Sequence, residues 1–350
     1  MYSLPQEIHR EILSRLEPEF QQITRLVDRY WAGLVGPQNV NLLEFGATHG
    51  ILEYCEIGLS RGNPKERICE LAAGSGHLEI LKWARSQRCP WNEDTCSVAA
   101  ENGHLKTLQW ARSQGCPWDE ETCGLAAENG HLEVLVWARE RECPWNKWTC
   151  TWAAENGHLD ILKWAIERGC PWNKRTCAWA AAGGHLEVLR WARERGCPWD
   201  SKTCSKAASN GHLGVLVWAR SQGCPWDTYT CSWAASNGHL EVLKWARGVM
   251  DLPNLNPSRE TAPRENEDAI CPWDELTCSW AASNGHLNIL VWAREHGCPW
   301  DVGTCYLAAL NGHVEVLQWA IENGCPRKFR AADLSIFPEH IREYVSVFHG

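Results

Sequence analysis

The chain has 350 residues and a mass of 39.6 kDa, with 44% apolar and 22% charged residues, enough apolar material to exclude disorder throughout. No stretch approaches the roughly 18 consecutive apolar residues of a membrane span, and the start MYSLPQEIHREILSRL lacks a basic region followed by an apolar one, so a soluble, cytoplasmic or nuclear chain is expected. Thirty-four Lys plus Arg against 43 Asp plus Glu leave a net charge of -9, which argues against holding nucleic acid through a general positive field.

Residues 1–34 carry helical apolar stripes: Leu4, Pro5, Ile8, Ile12, Leu13 and Leu16, an interruption near Pro18, then Phe20, Ile23, Val27 and Trp31. Pro5 suits a first helical turn. The string resembles the F-box, whose pattern runs L-P-x-E-I-x-x-x-I-L-x-x-L, then an acidic turn, then V-x-x-x-W. That resemblance implies that Leu4, Pro5, Ile8, Ile12, Leu16, Val27 and Trp31 dock on the Skp-type linker of a cullin ubiquitin ligase. Residues 35–68 form a Leu-rich helical linker, in which Ile51-Leu52-Glu53-Tyr54-Cys55 echoes Ile80-Leu81-Lys82-Trp83-Ala84 and suggests a degenerate capping repeat.

The composition carries 23 Trp and 19 Cys against 5 Phe and 6 Tyr, which calls for a repeated unit. Gly-His followed by an aliphatic residue places His77, His104, His131, His158, His185, His212, His239, His286 and His313 at spacings of 27, apart from one of 47. Within a unit, Cys96, Ala99, Ala100 and Gly103 fall on one helical face behind Thr95, taken as the N-cap. Asn102-Gly103 predicts a turn, and Leu105, Leu108 and Ala111 the stripe of a second helix with Trp110 beside it. Gly115 stops that helix and Cys116-Pro117-Trp118-Asp119 is an extended connection. Helices this short are marginal alone, so the hairpins must stack into an all-α solenoid.

The segments of type AAENGHLEVLKWARERG resemble the ankyrin repeat, A-A-x-x-G-H-x-x-x-V-x-x-L-L-x-x-G, over about residues 69–325. Two departures stand out: T-C-x-x replaces T-P-L-H one residue nearer the Ala pair, and the period is 27 instead of 33. Similar compact Trp- and Cys-rich units occur in large families of giant DNA viruses and protists, which would place the chain in a host cell. The ankyrin-like repeats then span 69–328, with an insertion at about 248–267 and a helical cap over 329–350.

Residues that recur in every unit answer a need every unit shares, which is packing. The recurrent His is read as a helix-start residue bonded within its own turn. Neighbouring helices sit about 8–10 Å apart, too far for equivalent His side chains to share one metal. Cys89 and Cys96, seven apart with His104 eight further on, give three zinc ligands per unit where structural zinc takes four. The cysteines are therefore read as reduced and buried; a disulfide needs Cα atoms within about 7 Å, which spacing alone does not decide. The Trp of W-A-R and of C-P-W are read as core. Like groups spread along a rod do not converge as an active site requires, so no catalytic residue, metal or cofactor is expected.

Function is sought where units differ. One variable slot is the pair before the repeat Thr, the other lies two residues beyond the T-C Cys, and both are expected on the concave side. Lys147, Trp148, Trp152, Lys174, Arg175, Trp179, Lys202, Lys206, Tyr229 and Trp233 gather basic and aromatic types there, the composition of interface hot spots. The partner expected is an acidic protein segment. The leading functional reading is a non-enzymatic adaptor that presents a target protein to a ubiquitin ligase. A free-standing interaction scaffold and a Cys/His metal-binding protein are the alternatives.

Overall fold

The computed structural model describes residues 42–60, 62–249, 270–329 and 335–346. Within them lie 21 helices of seven to nine residues and no strand. The F-box-like segment 1–34 and almost all of the insertion lie outside the described residues. The chain divides into two compact units, Met1–Trp145 and Asn146–Gly350.

The first unit is a row of four helical hairpins: α1 (Leu42–His49) with α2 (Leu52–Ser60), α3 (Ile68–Gly74) with α4 (Leu78–Ser86), α5 (Glu93–Glu101) with α6 (Leu105–Ser113), and α7 (Glu120–Glu128) with α8 (Leu132–Arg139). The second has six: α9 (Lys147–Glu155) with α10 (Leu159–Glu167), α11 (Lys174–Ala182) with α12 (Leu186–Glu194), α13 (Ser201–Ser209) with α14 (Leu213–Ser221), α15 (Thr228–Ser236) with α16 (Leu240–Ala246), α17 (Glu275–Ser283) with α18 (Leu287–Glu295), and α19 (Val302–Leu310) with α20 (Val314–Glu322). A last helix, α21 (Glu339–Ser346), follows. Within each unit a first helix packs on its hairpin partner and on the first helix of the next hairpin.

The reason is visible in one repeat. Cys204, Ala207 and Ala208 of α13 and Leu216 and Ala219 of α14 are fully buried. Two adjacent alanines give the first helices a smooth flank that permits close approach, and the aliphatic pair of the second helix fills the space behind. Each helix has too few residues to be stable alone, so burial against neighbours supplies what propensity cannot.

The helix start differs from the sequence expectation. The N-caps are Asn92, Asp119, Asn146, Asn173, Asp200, Asp227, Asp274 and Asp301, three residues before the repeat Thr. In most of them the side-chain oxygen accepts from the backbone N–H two residues on, as in Asp119 from Glu121 at 3.0 Å. The Thr instead occupies the third helical position and is buried. There its hydroxyl shares a 3.3 Å hydrogen bond with a serine of the preceding hairpin in Ser97–Thr122, Ser232–Thr277 and Ser279–Thr304. Thr203 Oγ1, which faces Ala178, is buried without a hydrogen-bond partner, as is Thr230 Oγ1, whose facing Ser205 donates to the Lys202 carbonyl instead. Ala178→Ser is therefore expected to stabilise the protein by about 1 kcal/mol, a satisfied orphan offsetting about 0.5 kcal/mol of helix propensity. A urea midpoint that stays put or falls would reject this pairing.

The recurrent His also acts otherwise than expected. It caps the second helix, but its Nε2 donates to a backbone carbonyl of the preceding hairpin: His77 to Thr48 at 3.2 Å, His239 to Ser209 at 3.1 Å, His286 to Ser236 at 3.1 Å and His313 to Ser283 at 3.0 Å. Burial is the largest influence on the His185 imidazole and pushes its pKa below the ordinary value, favouring the neutral ring. His340 of α21 repeats the contact, its Nε2 donating to Gly312 at 3.2 Å, while Phe337, Ile341 and Val345 extend the core of the last hairpin.

The Trp of both recurrent positions are half-buried, not sealed inside. The W-A-R Arg lies over the C-P-W Trp, with 3.9 Å from guanidinium to ring in Arg85–Trp91 and 4.0 Å in Arg220–Trp226. The same Arg donates from Nη1 to the backbone carbonyl of the intervening Cys, as Arg85 does to Cys89. The C-P-W ring then meets the next W-A-R ring edge-on, as in Trp199–Trp218 at 6.0 Å. Arg and two Trp thus pin each extended connection against its hairpins.

Candidate functional site

The two variable slots belong to the first helices themselves. The pair before the repeat Thr is the first turn of the helix and not a loop, because the cap lies three residues earlier. The second slot lies one turn further on. Trp148 and Trp152, Arg175 and Trp179, Lys202 and Lys206, Tyr229 and Trp233, and Leu276 and Trp280 are therefore stripes four residues long on one face of α9, α11, α13, α15 and α17. All lie in the second unit.

Lys147, Lys174, Arg175 and Lys202 are exposed, and Trp148, Trp152, Trp179 and Lys206 are half-buried. Tyr229 is 49% and Trp233 41% exposed, unusual for such large apolar groups. Part of the basic and aromatic content is engaged within the face. Trp148 stacks on Trp152 with centroids 6.0 Å apart, Arg175 lies 5.0 Å over Trp148, and Lys206 Nζ lies 4.4 Å over Trp179. Lys174 Nζ pairs with Asp200 at 2.9 Å. That pair is exposed on the Lys side and adds little stability, but it draws Lys174 toward its neighbour's cap.

A cluster missed in the sequence continues the face. Trp280 lies 4.8 Å from Trp233 and 6.2 Å from Tyr229, centroid to centroid, with exposed Leu276 one turn away and exposed Val302 on α19. Leu276 and Trp280 fill the same two variable slots one hairpin on, past 20 additional residues (47 against 27 in the His spacing), and lie beyond the sequence patch, which ends at Trp233. The recurring T-C-x-W-A-A of Trp233 and Trp280 was the available signal.

The first helices of three of these hairpins are basic. Five cations, Lys147, Lys174, Arg175, Lys202 and Lys206, ride on α9, α11 and α13, whose one acid is Glu155 at the end of α9. The second helices are mixed: α10 carries Asp160 and Glu167 with Lys163, and α12 carries Glu187 and Glu194 with Arg190 and Arg193. A chain of net charge -9 thus carries a local positive row.

The cysteines present no comparable surface. All 19 are free and buried. Thiol neighbours are 20 residues apart, not seven: Cys150 meets Cys170, Cys177 meets Cys197 and Cys278 meets Cys298. The C-P-W thiol also donates to the cap residue's carbonyl, as Cys143 does to Asp119 at 3.4 Å. Burial pushes the Cys55 and Cys69 thiols up to about 12. Among the described residues no three of His, Cys, Asp or Glu converge in a way that would hold a metal ion, and no helix is long and apolar enough to cross a membrane.

Comparison with curated proteins finds no match. Residues 150–193, spanning most of α9 through α12, match the family described as ankyrin repeats (many copies). Each unit is thus an all-α row of stacked helical hairpins similar to ankyrin repeats, a repeat that serves protein–protein interaction.

Proposed function

We propose that the face built by α9, α11, α13 and α15 captures an acidic segment of a target protein, and that the N-terminal segment hands that target to a cullin-type ubiquitin ligase. The observation that carries the capture step is the make-up of the first helices: five cations against one acid on α9, α11 and α13, interleaved with half-exposed Trp. Rings and cations of this kind supply the strongest contacts of protein interfaces, and the positive row speeds encounter with an acidic partner. The ligase step is supported by the F-box-like order of Leu4, Pro5, Ile8, Ile12, Leu16, Val27 and Trp31. A cytoplasmic or nuclear site of action follows from that role.

The two steps separate in one experiment on the full chain. Lys147→Ala, Arg175→Ala and Lys202→Ala together are expected to weaken binding of an acidic partner at least tenfold while unfolding moves by less than about 0.5 kcal/mol, since all three are exposed. Leu4→Ala, Pro5→Ala and Ile12→Ala together are expected to abolish recovery of Skp-type linker and cullin from cell extract and leave target capture intact. Unchanged capture rejects the face; unchanged ligase recovery rejects the N-terminal assignment.

A further inference from the structure

The face is a row of repeated stations, and the distance between stations constrains what can lie along it. Neighbouring packed helices are separated by about 8–10 Å, so Arg175 and Lys202, at the second position of α11 and α13, recur at that pitch, with Trp148 at the equivalent position of α9 and Lys147 beside it. The next station is apolar: Tyr229 and Trp233 on α15, closed by Trp280 of α17 at 4.8 Å from Trp233.

A partner must offer one suitable side chain per station, all on its own facing side. In a β-strand three residues cover about 10 Å, but the third side chain points to the opposite face. A polyproline II segment turns once every three residues with about 3.1 Å of rise each, so every third side chain returns to the same side after about 9 Å. That matches the hairpin pitch without strain. An α-helix returns to the same side after seven residues and about 10.5 Å, but binding a helix calls for a continuous apolar groove, and the stations of α11 and α13 here are cationic. Flat, partly exposed Trp faces are what proline-rich segments use for docking.

We propose that the occupant of this face is a polyproline II segment with an acidic residue at every third position, continuing into apolar residues in the same register that seat on Tyr229, Trp233 and Trp280. The inference rests on the acidic-segment reading above and adds to it conformation, period and an apolar end. Acidic residues meet Arg175 and Lys202 in turn, with Lys147 beside the Trp148 station to take a further one, and the ordering entropy is low because the segment is already extended when free.

The test uses the full chain and fluorescein-labelled synthetic peptides in an anisotropy titration. One probe has three Glu-Pro-Pro triplets followed by two Leu-Pro-Pro triplets, and a second has the reverse order. A third has the same composition scrambled, and a fourth is a helical peptide with Glu and Leu at seven-residue intervals. One of the first two is expected to bind at least tenfold more tightly than the scrambled peptide, and Trp233→Ala is expected to weaken it several-fold while leaving a peptide of Glu-Pro-Pro triplets alone unaffected. Equal binding of the scrambled peptide, or tighter binding of the helical one, overturns the register and conformation but leaves the acidic-segment reading standing. Failure of every acidic probe to bind overturns both.

Discussion

Gly211→Ala is expected to destabilise the protein by about 2–4 kcal/mol, more than an alanine at a left-handed glycine whose Cβ position is open. Gly211 has φ +74°, and a Cβ built on it would stand 2.7 Å from both Cε1 and Nδ1 of His239. The ring cannot swing away freely, because its Nε2 is bonded to the Ser209 carbonyl at 3.1 Å. The cost therefore has three parts: about 1–2 kcal/mol for a left-handed non-glycine residue, about 0.5–1.5 kcal/mol for the lost hydrogen bond, and the remainder from displaced packing. Gly223 is the internal control, with φ +80° and nothing within 4 Å of its Cβ position. Gly223→Ala should lose only the backbone part. Urea unfolding followed by circular dichroism compares the two, read as the midpoint of the affected transition because repeat arrays need not unfold in one step. His239→Ala in the Gly211→Ala background should cost less than the sum of the single changes. Equal losses for Gly211→Ala and Gly223→Ala would mean that the Gly–His contact between hairpins contributes nothing.

The second large effect concerns the thiols. In the reduced, folded protein none of the 19 cysteines is expected to react with a disulfide reagent on the time scale of free cysteine, and all 19 should react once the chain is unfolded in guanidinium. Every thiol is buried, and Cys55 and Cys69, at about 12, have a thiolate population near pH 8 about a thousandfold below that of an ordinary cysteine. In Cys150 and Cys177 the partner thiol adds to burial, and both push the pKa up. Reaction should therefore report opening of the stack, its rate rising with urea in step with loss of helix. Several cysteines reacting rapidly in buffer would show that the thiol pairs are accessible and that their role is chemical as well as structural.

The solenoid was legible because repetition supplies its own alignment: the 27-residue spacing of Gly-His, the Ala pair and the glycine stops dictate short hairpins that must stack. The errors have a common origin. Asn and Asp cap helices as readily as Thr, and Thr95 drew attention because it does not vary, whereas Asn92 and Asp119 alternate between two equivalent types. The recurrent His was expected to bond inside its turn because a one-dimensional period does not tell which neighbouring turn a ring reaches. Cysteine partners 20 apart were likewise hidden, since the connection folds back before the next helix starts. The proposed interaction face was legible at its charged end, where composition changes between units. Its apolar end was not, because Tyr229 and Trp280 become neighbours only when the hairpins on either side of the insertion pack together.

That junction shows what the architecture tolerates. Arg247 makes across the insertion the contacts that Arg220 makes across four residues: it lies 3.9 Å over Trp273 and donates to the Cys271 carbonyl. Cys271 N–H meets Ala246 O at 2.9 Å, as Cys224 N–H meets Ala219 O at 3.0 Å. The connection is a socket whose two rims are fixed by local contacts, so a longer chain between them adds little beyond the slowly growing entropy of closing a larger loop. Lineages carrying this repeat can therefore acquire new appendages at any such socket, and an engineer could graft a reporter or a second binding module there, without renegotiating the stack on either side.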